Sequence, residues 1–228
     1  ESGDGIDIDS AGNAYVTGYT LSDSYPSNNS IVDGRHEVTG GDIFITKVNS
    51  TGTGLVYSTI IGGNGADRGN GIAVDTSGNA YITGYAGWGF PVTSGAYDET
   101  YDAGYDAFVS KLNSDGSALL YSTFLGENDA NDVSYGIDID SSGNAYVTGY
   151  TIGADFPATS GAYDETYNGG WDAFVSKINP DGSDILYSTF LGGTGHESGK
   201  QIVVDSSGNI YVAGWANWGF PVTSGAYD

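Results

Sequence analysis

One phrase recurs four times along this chain. GIDIDSAGNAYVTGYT begins at Gly5, GIAVDTSGNAYITGYA at Gly71, GIDIDSSGNAYVTGYT at Gly136 and QIVVDSSGNIYVAGW at Gln201. The spacing holds at about 65 residues throughout. A fixed long period marks a repeat architecture, in which each unit buries its apolar faces mainly against its neighbours. Residues 1–228 therefore read as one array, with units 5–70, 71–135, 136–200 and a partial 201–228, and no linker-like shift in composition between them. Glu1 enters the repeat where Glu197 does, and the sequence stops at Asp228 partway through a unit, so the expectation is a segment of a longer protein.

Within a unit the signals are those of strands and tight turns. Ile72-Ala73-Val74 and Tyr81-Ile82-Thr83 are β-branched and aromatic runs around Asp75-Thr76-Ser77-Gly78. Asp in the first position and Gly in the fourth suit a type I turn. A long connection over 86–105 follows, then Asp106 to Leu112, a second turn at Asn113-Ser114-Asp115-Gly116, and Leu119 to Leu125. The third unit has Asn179-Pro180-Asp181-Gly182 at that second turn, and Pro there favours the same geometry. Four strands per unit without helical periodicity predict an all-β fold, a β-propeller of three complete four-stranded blades and half of a fourth. A sandwich gives no reason for the self-match, and solenoid rungs are usually shorter.

Longer motifs carry a resemblance. Tyr187-Ser188-Thr189-Phe190-Leu191-Gly192-Gly193, Phe156-Pro157 with Thr159-Ser160-Gly161-Ala162-Tyr163, and Asp172-Ala173-Phe174-Val175-Ser176-Lys177 resemble the bacterial and archaeal seven-bladed β-propeller (SBBP) repeat family. The resemblance spans essentially the whole chain; only residues 27–41 depart strongly, where an unrelated stretch replaces TSGAYDETY. It implies a propeller fold and a secreted or cell-surface location. It implies no shared catalytic residues.

Charge narrows the function classes. Six Lys and Arg against 29 Asp and Glu give a net charge of −23, which argues against nucleic acid and anionic membranes as partners. Cysteine is absent, and no apolar run approaches the roughly 20 residues of a membrane helix, so no membrane insertion is expected. No nucleophile–base arrangement or phosphate loop emerges, and the two histidines, His36 and His196, are not equivalent in the repeat.

Candidate sites fall on three groups of residues. In a propeller the long connections share one face, and binding functions concentrate on such loops. Trp88, Phe90, Tyr97, Trp171, Trp218 and Phe220, interleaved with Asp98 and Asp164, form an aromatic and acidic set suited to stacking and hydrogen bonding a sugar. The competing reading folds Phe-Pro and Gly-Ala-Tyr back onto their own blade as a satellite core, and recurrence across the repeats favours it. The pairs Asp7 and Asp9, and Asp138 and Asp140, resemble the start of a calcium loop, making Ca²⁺ the one candidate ion; Asp9 and Asp140 are also explained as turn residues. Asn28 and Asn49 lie in Asn-x-Ser/Thr sequons that would accept glycans on an extracellular surface.

Lys47, Lys111 and Lys177 hold one equivalent position five residues after Asp42, Asp106 and Asp172, on the opposite face of the strand, so each is expected to pair with an adjacent blade. The first and third units match most closely, while the second and fourth share W-G-F-P-V-T-S-G-A-Y-D. The expected function is a non-enzymatic extracellular structural or adhesive module, self-associating or joined to neighbouring repeats, with assembly into a surface layer or filament through its open half-blade. The alternative is a carbohydrate-binding propeller using the aromatic and acidic loops.

Overall fold

The computed structural model describes residues 1–22, 24–32, 40–126 and 131–226. Fifteen strands and no helix form among them. The first sheet contains β1 (Ser2–Ile8), β2 (Ala14–Thr20), β3 (Asn29–Val32), β4 (Asp42–Val48) and β5 (Leu55–Gly62), in the order β1-β2-β4-β5-β3. The second runs β6 (Arg68–Val74), β7 (Ala80–Ala86), β8 (Asp106–Leu112), β9 (Leu119–Leu125). The third repeats that order with β10 (Val133–Ile139), β11 (Ala145–Thr151), β12 (Asp172–Ile178) and β13 (Ile185–Leu191). Only β14 (Glu197–Val204) and β15 (Ile210–Ala216) make up the fourth. The propeller expectation holds: three full blades and a half, in sheets that do not close a ring. The strand β3 is an addition, four residues pairing parallel to the outer edge of β5 in the divergent first unit.

The turns form as their chemistry requires. Asp9 Oδ1 accepts from Ala11 and Asn13 N–H, Gly12 N–H donates to the Asp9 carbonyl, and Gly12 sits at φ +82°. The same arrangement recurs at Asp75, Asp140 and Asp205. The aromatic–proline pairs return each long connection to its own blade. Phe90 packs on Phe108 at 4.7 Å, Phe156 on Phe174 at 4.4 Å, and in the divergent unit Tyr25 stacks on Phe44 at 4.7 Å.

Innermost strands lie side by side, β1 against β6, β6 against β10, β10 against β14. Each is bulged at the same place, where the ladder to the second strand slips between Gly3 and Gly5, Gly69 and Gly71, Ser134 and Gly136, and Gly199 and Gln201. A bulge bends and twists its strand and leaves one residue out of the ladder. The partner strand must then offer no side chain. A Cβ on Gly149 would overlap the Val133 carbonyl, and one on Gly84 the Arg68 carbonyl. This explains the glycine inside the otherwise β-branched Val-Thr-Gly-Tyr run.

Asp7 and Asp138 join neighbouring sheets. Asp7 Oδ2 accepts from Val74 N–H at 2.8 Å and Asp138 Oδ2 from Val204 N–H at 2.7 Å. Ala73 supplies no such acceptor at the middle junction, where Asn70 Nδ2 donates to the Ser134 carbonyl instead. The alternation between odd and even units is thus an alternation of seams. Gly149→Ala is expected to cost roughly 3 kcal/mol by forcing the bulge away from its partner strand; urea unfolding monitored by tryptophan fluorescence measures it.

Candidate functional site

The structure sorts the sequence candidates by exposure. Phe90 and Phe156 are buried, and Tyr97 lies in a seam, its N–H donating to the Gly182 carbonyl of the next blade. These residues build the fold. Trp88 and Trp218, by contrast, are 63% and 74% exposed at equivalent positions. Asn64 and Gly65 N–H both donate to the Trp88 carbonyl, and Gly89 follows at φ +82°, so the loop bearing this exposed indole is braced. Phe220, which lacks the third-strand partner that covers Phe90, is left partly exposed. Trp171 stacks on Tyr150 at 4.6 Å and meets the edge of His196. His36 lies outside the described residues.

The acids proposed for calcium are otherwise occupied. Asp7 and Asp138 each receive two backbone N–H groups, one from the next sheet. Asp9 and Asp140 accept from their turns, from Asn13 and Asn144 side chains and from Tyr15 and Tyr146 hydroxyls. Those hydrogen bonds, led by Asn13, hold the Asp9 carboxyl well below the usual range. Among the described residues no group of three or more metal-binding side chains converges. Turn bracing and seam clamping are the roles these four acids fill in the structure.

The lysines also depart from expectation. Lys47 reaches Asp9 at 3.3 Å, Lys111 reaches Asp75 at 3.9 Å and Lys177 reaches Asp140 at 3.4 Å, all within one sheet. The ladder sets Lys47 opposite Tyr15, beside the turn that carries Asp9. Each ammonium also rests on its tyrosine ring, 4.6 to 4.8 Å from the centroid. The sequon residues are braces too. Asn28 Oδ1 accepts from Ser58 N–H, and Asn49 Oδ1 from Thr53 and Gly54 N–H, as Asn113 and Asn179 do in sister turns outside any sequon.

Two constellations were missed in the sequence. The first is a set of buried acids between sheets, Asp42 near Asp67 and Asp172 near Glu197, with Asp106 and Asp132 at the equivalent sequence positions, all at most 3% exposed. They lie against the glycines that end or follow the fourth strands: Asp42 at Gly62, Asp132 at Gly126, and both Asp172 and Glu197 at Gly192. Asp67 accepts from Gly63 and Gly87 N–H, yet burial, helped by Asp42, pushes its pKa up to about 7. Burial and the neighbours Asp102 and Asp98 take Asp106 to about 7, and burial with Glu197 takes Asp172 to about 6.

The second constellation is the bulge itself. The out-of-ladder residues are Asp4, Asn70, Tyr135 and Lys200, one on each innermost strand. They line a single cavity of about 370 Å³ together with Arg68 and Tyr85. Arg68 Nε and Nη2 donate to Asp4 at 3.1 and 2.8 Å. Lys200 Nζ lies 3.1 Å from the Tyr135 ring centroid, and burial draws its pKa down. The signal was present in the sequence: beside near-identical phrases, the residue preceding Gly5, Gly71, Gly136 and Gln201 changes from acid to amide to phenol to amine.

Radially packed four-stranded antiparallel sheets joined through their innermost strands define a β-propeller repeat protein. The SBBP beta-propeller repeat model matches residues 2–26, 56–91, 120–157 and 186–221, more than half of the chain, and the chain belongs to that family. No curated protein matches it. The matched unit is out of phase with the sheets: residues 120–157 begin in β9, the last strand of one sheet, and end just after β11 at Phe156-Pro157.

The buried acids bind protons more tightly folded than unfolded, so their contribution to stability is intact below about pH 4 and lost as pH rises through about 6 to 7. Thermal melts should show Tm falling across that window. Asp172→Asn, which removes the charge facing Glu197, should raise Tm at pH 8 by a few degrees and flatten the profile.

Proposed function

We propose that this chain is a non-enzymatic extracellular structural and adhesive module that extends by pairing the outer edge of β15 with a third-and-fourth-strand pair of its own repeat. The supporting observation is the contrast between equivalent tyrosines. Tyr15, Tyr81 and Tyr146 are at most 3% exposed beneath the lysine of the third strand, whereas Tyr211 on β15 is 59% exposed. Beside it an apolar groove of about 380 Å³ runs along Leu191, Val212, Trp215 and Phe220. An unpaired edge next to uncovered apolar surface is a template for strand addition. The Asp-Ala-Phe-Val-Ser-Lys strand has the matching chemistry, since its phenylalanine is buried in every complete blade. The surface acids keep such an array soluble, and the acidic composition suits a solvated extracellular surface.

The hairpin of residues 172–191, supplied as a separate peptide, should slow amide exchange across Ile210–Ala216. Copies lending strands to one another should give polymers visible by electron microscopy. Unchanged exchange in β15 from a monodisperse monomer would rule the reading out.

A glycan-binding role for Trp88 and Trp218 is the second reading. It is favoured by two exposed indoles at equivalent loop positions, flat faces on which sugar C–H groups can stack. Binding to a glycan array should disappear in the Trp88→Ala, Trp218→Ala double variant; retention of the same glycans would dismiss it.

A further inference from the structure

We infer that the cavity at the four bulges binds a monosaccharide-sized carboxylate, an acidic sugar of the uronic acid type, at a site separate from the indoles of the long loops. Four innermost strands of nearly one sequence meet there, and the bulge takes each odd residue out of the ladder toward the shared cavity. Bulges commonly re-aim side chains in this way. A purely structural position would repeat its residue, as Ile6, Ile72, Ile137 and Ile202 do two places later. Here the four residues differ completely, and together they offer a carboxylate, an amide, a phenol and an ammonium.

Their existing bonds define what remains for a ligand. Among the described residues Lys200 is the one basic side chain with no carboxylate within salt-bridge distance; Lys47, Lys111, Lys177 and Arg68 all have one. Arg68 commits Nε and Nη2 to Asp4 and leaves Nη1 for another acceptor. Asn70 uses Nδ2 on the Ser134 carbonyl and leaves Oδ1 to accept from a hydroxyl. Tyr85 adds a ring face for C–H groups, while the Tyr135 face holds the Lys200 ammonium in the cavity. Asp4, Arg68 and Lys200 sum to one positive charge, in a chain whose net charge is −23. That excess matches a monoanion, whereas a phosphate dianion would leave one negative charge uncompensated beside Asp4. The cavity, about 370 Å³, is in the range of small-molecule sites.

Titration calorimetry of the full chain with glucuronate, glucose and acetate tests this. Glucuronate should bind about tenfold or more tighter than either fragment chemistry alone, since both the charge and the ring contacts contribute. Lys200→Met should weaken glucuronate by about tenfold or more, while Lys200→Arg keeps the charge and most of the affinity. The Trp88→Ala, Trp218→Ala variant should bind glucuronate unchanged, so the outcome is independent of the glycan reading above. Glucose binding as tightly as glucuronate, Lys200→Met binding like the parent, or no heat with glucuronate at tens of millimolar would each overturn the inference. Matching circular dichroism and melts of the Lys200 variants exclude misfolding as the cause.

Discussion

A surplus residue in the innermost strand of each sheet, lying across the ladder from a glycine, sets the geometry on which the other contacts rest. The bulge twists the strand, and the missing Cβ on Gly18, Gly84, Gly149 or Gly214 lets the second strand stay paired beside it. With the innermost strands so shaped, adjacent sheets approach backbone to backbone. A Cβ on Gly5 would come 3.1 Å from the Asn70 carbonyl oxygen, and one on Gly136 3.0 Å from the Gln201 Cα. Only at that separation can Asp7 and Asp138 reach the backbone N–H groups of the following sheet.

Charge is divided between two roles in this molecule. Most acids are solvated on turns and loops, where they brace backbone N–H groups and repel other chains. A smaller set is buried between sheets, where burial and mutual repulsion favour the protonated form. Scarce basic residues are spent on fixed positions: three lysines pin the first turn of a blade to its third strand, and Arg68 holds Asp4. Lys200 stands apart from that scheme, in the cavity at the bulges instead of at a turn.

Much of this was legible in the sequence. The Asp-x-x-Gly turns, the four-stranded unit and the packing role of Phe90 and Phe156 follow from local chemistry and from recurrence. The bulge was hidden because Gly-Ile-Asp-Ile-Asp reads as an ordinary strand, and only the glycine across the ladder hints otherwise. The lysine pairing went astray because strand alternation was weighed against Asp42, Asp106 and Asp172, while the true partner arrives through the neighbouring strand and its turn. β3 left no trace, since Asn29-Ser30-Ile31-Val32 is too short for a pattern and pairs in parallel with a strand distant in sequence. The four bulge residues carry no repeat signal, because they are the positions at which otherwise matching units differ.

The offset between repeat and sheet has a consequence for how such a protein lengthens. A unit spanning residues 120–157 contributes the last strand of one sheet and the first two of the next. A copy cut at those bounds carries no whole sheet: its first strand completes the sheet before it, and the third strand lies outside the matched stretch. Such an array lengthens by whole sheets only in steps of the full sequence period, each step adding an innermost strand that must seat against the one before it.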